Sequence, residues 1–126
     1  MIFVLGIDAA TWTVIKPNLG KLPSFNRLTQ LGKAKVLTLK EKPISPSIWC
    51  GIFSGKTPEE HRHEAFVAGD RLVSRENIKV EFIWDILHRE GKKVKVLNAP
   101  FIVPPYCFGV DFKPVGFGLP TNEKEW

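Results

Sequence analysis

The stretch that decides the fold is Met1-Ile2-Phe3-Val4-Leu5-Gly6-Ile7-Asp8, an unbroken apolar run that ends on a carboxylate. It lacks the apolar–polar alternation of a half-exposed strand. A strand buried on both faces reads this way, as the strands of parallel sheets do. The run is too short for a signal peptide, has no basic n-region and stops at an acid, so a cytoplasmic protein is expected.

Working outward, the spacing predicts a short helix from about Thr11 to Asn18, stopped by Gly20. Pro23 opens a second helix, with Phe25, Leu28 and Leu31 at helical spacing and Gly32 beyond its end. Ala34 to Leu39 reads as a strand, and residues 41–45 as a loop. A helix is expected from about Pro46 to Phe53, closed by Gly55. Residues 56–79 are polar and irregular, with a turn at Gly69-Asp70. A further helix is expected over Val80 to Arg89, with Phe82, Ile83, Ile86 and Leu87 on one face and Gly91 at its end. Lys93 to Leu97 reads as a strand. The proline-rich tail after Pro100 allows one more short strand near Val110 to Val115. Strands alternating with helices give an α/β fold, a parallel-rich sheet with helices on both faces, in one domain spanning residues 1–126.

Composition narrows the class. The chain has 126 residues, 44% of them hydrophobic and 25% charged, which excludes general disorder. No apolar run approaches the roughly 20 residues that span a bilayer, so no membrane partner is expected. Cys50 and Cys107 sit in apolar surroundings and read as buried thiols. The net charge is +5. Lys and Arg are nevertheless spread along the chain, and no basic run carries interleaved aromatics, so nucleic acid is not the expected partner.

Two residues carry the candidate chemistry. Ligands of open α/β sheets bind beyond the carboxyl ends of the strands. Asp8 stands there, as a metal or ligand contact or as a plain helix N-cap. Ser45-Pro46 combines a favoured N-cap with a favoured first helical residue. That puts the Ser45 hydroxyl at the positive end of a helix, where phosphate binds and a developing alkoxide is stabilised, or where it simply caps. Ser47 is a nearby alternative inside the first turn. His61 and His63, flanking Arg62, fit a strand-borne metal pair, but no carboxylate at a diagnostic spacing completes it. The phosphate-loop patterns GxxxxGK[ST] and GxGxxG are absent.

In combination, Phe3-Val4-Leu5-Gly6-Ile7-Asp8-Ala9-Ala10-Thr11-Trp12, Gly20-Lys21-Leu22-Pro23, Ile44-Ser45-Pro46-Ser47-Ile48-Trp49, Ser54-Gly55, Pro58 with His61, Ile83-Trp84-Asp85-Ile86-Leu87 and Asn98-Ala99-Pro100-Phe101 follow one another in order. This series resembles the amino-terminal part of type I phosphodiesterases and nucleotide pyrophosphatases, in the alkaline phosphatase superfamily. The resemblance implies Asp8 as a metal ligand and Ser45 as a nucleophile. It implies a divalent metal, zinc or manganese, and a small phosphate ester as substrate of a hydrolase. Ala9 stands where that family usually has glycine. Most of the family's metal ligands have no counterpart here, so the resemblance implies a chain that is inactive alone. The alternatives are a truncated, non-catalytic homologue that self-associates or binds a second chain, and a small anion- or nucleotide-binding module.

Overall fold

The computed structural model describes residues 1–39, 43–73, 75–97, 99–101 and 111–113. The chain divides into two compact units, Met1–Lys42 and Pro43–Trp126.

In the first unit, Thr11 is extended and its hydroxyl accepts from the Thr13 amide, which caps helix α1, Trp12–Ile15. A 3-10 segment, Lys16–Lys21, continues it. Pro23 then opens helix α2, Pro23–Leu31. The Gly32 amide closes α2 on the Leu28 carbonyl at 3.0 Å. The helices therefore lie close to where the punctuation residues put them. Burial does not follow. Among the described residues of this unit only Ile15 is buried. Leu28 and Leu31, which stand at helical spacing, are exposed. Ile2 to Ile7, expected as a strand buried on both faces, belongs to no strand and is open, with Ile2 92% and Val4 84% exposed. Ala34 to Leu39 likewise forms no strand. A doubly buried strand needs neighbours on both edges and both faces, and none of the described strands pairs with either segment.

The second unit holds the core. Helix α3, Ser45–Ser54, has Pro46 in its first turn and ends at Gly55. Gly55 sits at φ 68°, the left-handed region where a side chain is strained. Helix α4, Pro58–His61, starts at Thr57, whose amide donates to the Glu60 carboxylate at 2.8 Å. Strands β1, Val67–Ala68, and β2, Arg71–Leu72, form an antiparallel hairpin. Its two-residue turn is the expected Gly69-Asp70, with Gly69 at φ 62°. A 3-10 turn, Arg75–Asn77, leads to helix α5, Ile83–Arg89. Strand β3, Lys95–Leu97, pairs in parallel with β4, Asp111–Lys113, both at expected positions. Of the expected larger parallel sheet, the described residues contain this one pair.

Trp49 and Cys50 of α3, Ile78, Phe82, Trp84 of α5, Val96 of β3 and Phe101 make the buried cluster. Aromatic rings hold it at close range. Phe53 meets Trp84 at 4.8 Å, and Phe82 meets Trp84 edge-on at 4.9 Å. The expected inward stripe of α5 is out of phase. Phe82 is the extended N-cap, so its side chain lies off the helical wheel. Counting from Ile83, the larger Trp84 takes the buried place and Ile83 turns outward, 49% exposed.

This phase is testable by urea denaturation. Phe82→Ala is expected to cost about 3–5 kcal/mol, as fully buried aromatics do. Ile83→Ala should cost less than about 1 kcal/mol, as surface changes do. Equal losses would return α5 to the stripe expected from spacing.

Candidate functional site

Asp8 is exposed in the first unit, at a bend where Ala9 adopts φ 56°. The Thr11 amide donates to the Ala9 carbonyl at 2.9 Å. A non-glycine residue in this left-handed region carries backbone strain. Ser45 belongs to the second unit. It is the first residue of α3 and not the cap; the cap is Ile44, which makes no side-chain capping bond. The hydroxyl expected to cap the helix thus sits one position inside it. Ser47 is buried. Among the described residues no group of three or more His, Cys, Asp or Glu could hold a metal ion.

The buried polar node of the second unit is His61, 3% exposed. The chain reverses just after it, since Arg62 at φ 56° ends α4. That reversal lets the His63 amide donate to His61 Nδ1 at 3.0 Å. An accepting Nδ1 assigns the ring proton to Nε2 in the neutral imidazole. Nε2 packs against Gly51 of α3 and has no hydrogen-bond partner of good geometry. A Cβ at Gly51 would stand 3.3 Å from the Lys56 carbonyl, a tight contact that would need the chain between α3 and α4 to give by a few tenths of an ångström. His63 continues the link, with Nε2 3.2 Å from the Asn77 carbonyl. The imidazole therefore braces a corner of the fold, and its Nδ1, which a metal would need, accepts the His63 amide instead. Burial and the neighbouring His63 lower the His61 pKa, against a weaker opposing pull from the Ser47 main chain, Glu59 and Glu64.

Cys50 is fully buried and free. Burial pushes its thiol up to about 11, partly offset by the Arg75 guanidinium. It stays protonated near neutrality and is no nucleophile. Cys107 lies outside the described residues.

The charge distribution is the stronger signal. Residues 1–42 hold seven Lys and Arg against two Asp and Glu, whereas residues 43–126 hold eleven of each. The whole net charge of +5 therefore belongs to the first unit. Its described cations, Lys16, Lys21, Arg27, Lys33 and Lys35, are all exposed. Asp8 is the one carboxylate among residues 1–39, too few to neutralise them. The ion pairs Lys56–Glu60, Arg75–Asp85, Arg89–Glu81 and Arg89–Glu90 all lie in the second unit, where charges of both signs alternate. Lys and Arg occur throughout the chain, so their positions alone do not show the imbalance. Net charge counted separately for each half is the signal that finds it.

The chain is 30% identical to the tRNA(Ile)-lysidine synthase of Thermotoga maritima over 94 residues. The match covers 75% of this chain and 19% of that protein, so the chain spans 19% of the length of this curated relative. No family model and no solved structure matches. The resemblance to the phosphodiesterase and nucleotide pyrophosphatase family is thereby corrected. The likeness found is to a protein of another name, and the described residues contain no metal-holding cluster for a metal-binding hydrolase. The motifs that carried the resemblance have a plainer cause. Pro23 and Pro46 open helices, Gly55 ends one, and an apolar run that stops at an acid recurs in many folds. Among the described residues no helix is long and apolar enough to cross a membrane.

The fold holds His61 neutral, while the unfolded chain protonates it near its ordinary 6.5. Below that value the unfolded state binds more protons, so stability falls as pH falls through about 6.5 and levels off beneath the lowered folded value. One proton sets a ceiling of about 1.4 kcal/mol per pH unit. Urea midpoints from pH 7.5 to 5.5 should decline in the native chain and flatten in His61→Gln. An unchanged slope in the variant would remove His61 as the cause.

Proposed function

We propose that this chain binds tRNA, as a portion of a tRNA-modifying protein, and that the unit Met1–Lys42 makes the contact through the phosphate backbone. The observation that carries the reading is the 30% identity to a tRNA(Ile)-lysidine synthase. The charge partition supports it. A polyanion with regularly spaced phosphates is attracted by a surface of one sign, and its release of counterions drives binding. The first unit supplies such a surface: five exposed cations on α1's continuation, on α2 and on the segment after it. The second unit supplies none in net terms. Lys33 and Lys35 flank Ala34, just beyond the end of α2, and act as point charges for phosphate oxygens. These contacts position the RNA and carry no base information.

Filter binding of a tRNA(Ile) transcript tests this. Affinity should fall with salt at a log–log slope of about −2 to −4, as a few neutralised phosphates require. Lys33→Glu combined with Lys35→Glu should weaken binding at least about ten-fold. Lys92→Glu combined with Lys93→Glu, equally exposed but on the neutral unit, should change it less than about two-fold. No binding at low salt, or equal losses in the two double variants, would overturn the proposal.

A further inference from the structure

The stretch between α3 and the hairpin hangs on one side chain. Of residues 55–65, His61 alone is buried. Helix α4 is a single turn, Pro58–His61, too short to hold itself. The amides of Glu60, His61 and Arg62 close on the Thr57 and Pro58 carbonyls at 2.8–3.0 Å. The Thr57–Glu60 capping bond and the Lys56–Glu60 ion pair stand in water. His63, half-buried, adds its contact to the Asn77 carbonyl and lies 6.2 Å from the Phe101 ring between centroids. A segment with one buried anchor and water-exposed hydrogen bonds is where a fold opens first.

That anchor is also the kind of side chain that takes up a proton near neutral pH. Neutral, it accepts the His63 amide at Nδ1, while Nε2 carries its proton without a hydrogen-bond partner. Protonated, it loses this place. A second N–H, on Nδ1, would point at the His63 N–H, donor against donor. The charge would be buried beside the Ser47 main chain and Gly51 of α3, with Nε2 still unpartnered. Glu59 and Glu64, the carboxylates that act on the ring, are exposed and lie on its own stretch, so they offset little of that cost. His63 opposes the charge, and Cys50, the ionisable residue of α3, is a protonated thiol. Rotating the ring into water removes both penalties. We propose that His61 is a proton-operated latch: neutral, it holds residues 55–65 against α3, and protonated it leaves its place and lets α4 open while the aromatic core stays folded. The loss of global stability expected above would follow from any buried imidazole, whereas a latch requires the opening to be local.

Amide hydrogen exchange of the whole chain tests this, read by NMR at pH 7.5 and 5.5 with and without sub-denaturing urea. Rates are expressed as protection relative to unstructured peptides, which removes the intrinsic effect of pH. Protection of the Glu60, His61 and Arg62 amides should fall about five- to ten-fold across that range, as uptake of one proton on opening requires. It should not change with urea. Amides of α5 should be at least about ten-fold better protected at pH 5.5 and should lose protection as urea rises. His61→Gln should make α4 protection independent of pH, and His63→Gln should leave the dependence in place. Three results would overturn the proposal. The first is equal α4 protection at the two pH values. The second is a pH dependence that survives in His61→Gln or vanishes in His63→Gln. The third is α4 amides that exchange at the level of α5 and with its urea dependence, since the corner would then open only with the whole chain. The first and third are read in the native chain, so they hold even where a substituted chain fails to fold.

Discussion

The packed core of the second unit depends on one carboxylate. Asp85 Oδ2 accepts from the Arg75 guanidinium at 2.6 Å and from the Phe82 amide at 2.8 Å. The second bond starts α5. The first brings in Arg75, which also donates to the carbonyls of Ile78 at 2.7 Å and Val80 at 3.0 Å and lies 4.7 Å above the Phe82 ring. One ion pair, largely withdrawn from water, thereby shapes residues 75–85 and fixes Phe82 at the centre of the aromatic cluster. Removing either partner leaves a poorly solvated charge, which costs far more than an exposed pair contributes. Lys56–Glu60, both half-exposed, shows the contrast: it decorates the α4 corner without holding it.

The second unit also shows how a small core reaches density with few aliphatic residues. Trp49, Phe53, Phe82, Trp84, Phe66 and Phe101 meet at centroid distances of 4.8–6.5 Å, mostly tilted or edge-on. Such pairs add attraction beyond the area they bury. His61 and Gly51 then fix the corner between α3 and α4 that delivers Trp49 and Cys50 to this cluster. The described residues of the first unit hold no equivalent cluster, and its described cations and its Ile2–Ile7 segment are exposed.

Punctuation was legible in the sequence. Pro23, Pro46, Gly55 and the Gly69-Asp70 turn mark helix and hairpin limits because their backbone restrictions are local. Burial was not, because it depends on partners. Ile2–Ile7 has the pattern of a buried strand, yet pattern supplies no neighbour. Ile83 fits an apolar stripe, yet the helix starts three residues later than the expected Val80 and Trp84 displaces it. Helix α4 went unread, since four residues hide one capping bond from Thr57 to Glu60. Ser45 before Pro46 has the composition of a cap, yet α3 begins one residue earlier than that and the cap falls on Ile44. The charge imbalance lies in a quantity, net charge by half, that motif reading does not register.

The division of labour between a neutral, packed unit and a cationic, open one is the centre of this account. Titrating tRNA(Ile) into the isotope-labelled chain and following the amide resonances tests it residue by residue. The account predicts shifts confined to residues 1–39, strongest around Lys33 and Lys35, with the amides of α3, α5 and β3 unmoved. Shifts concentrated in the second unit, or none at any tRNA concentration, would contradict it.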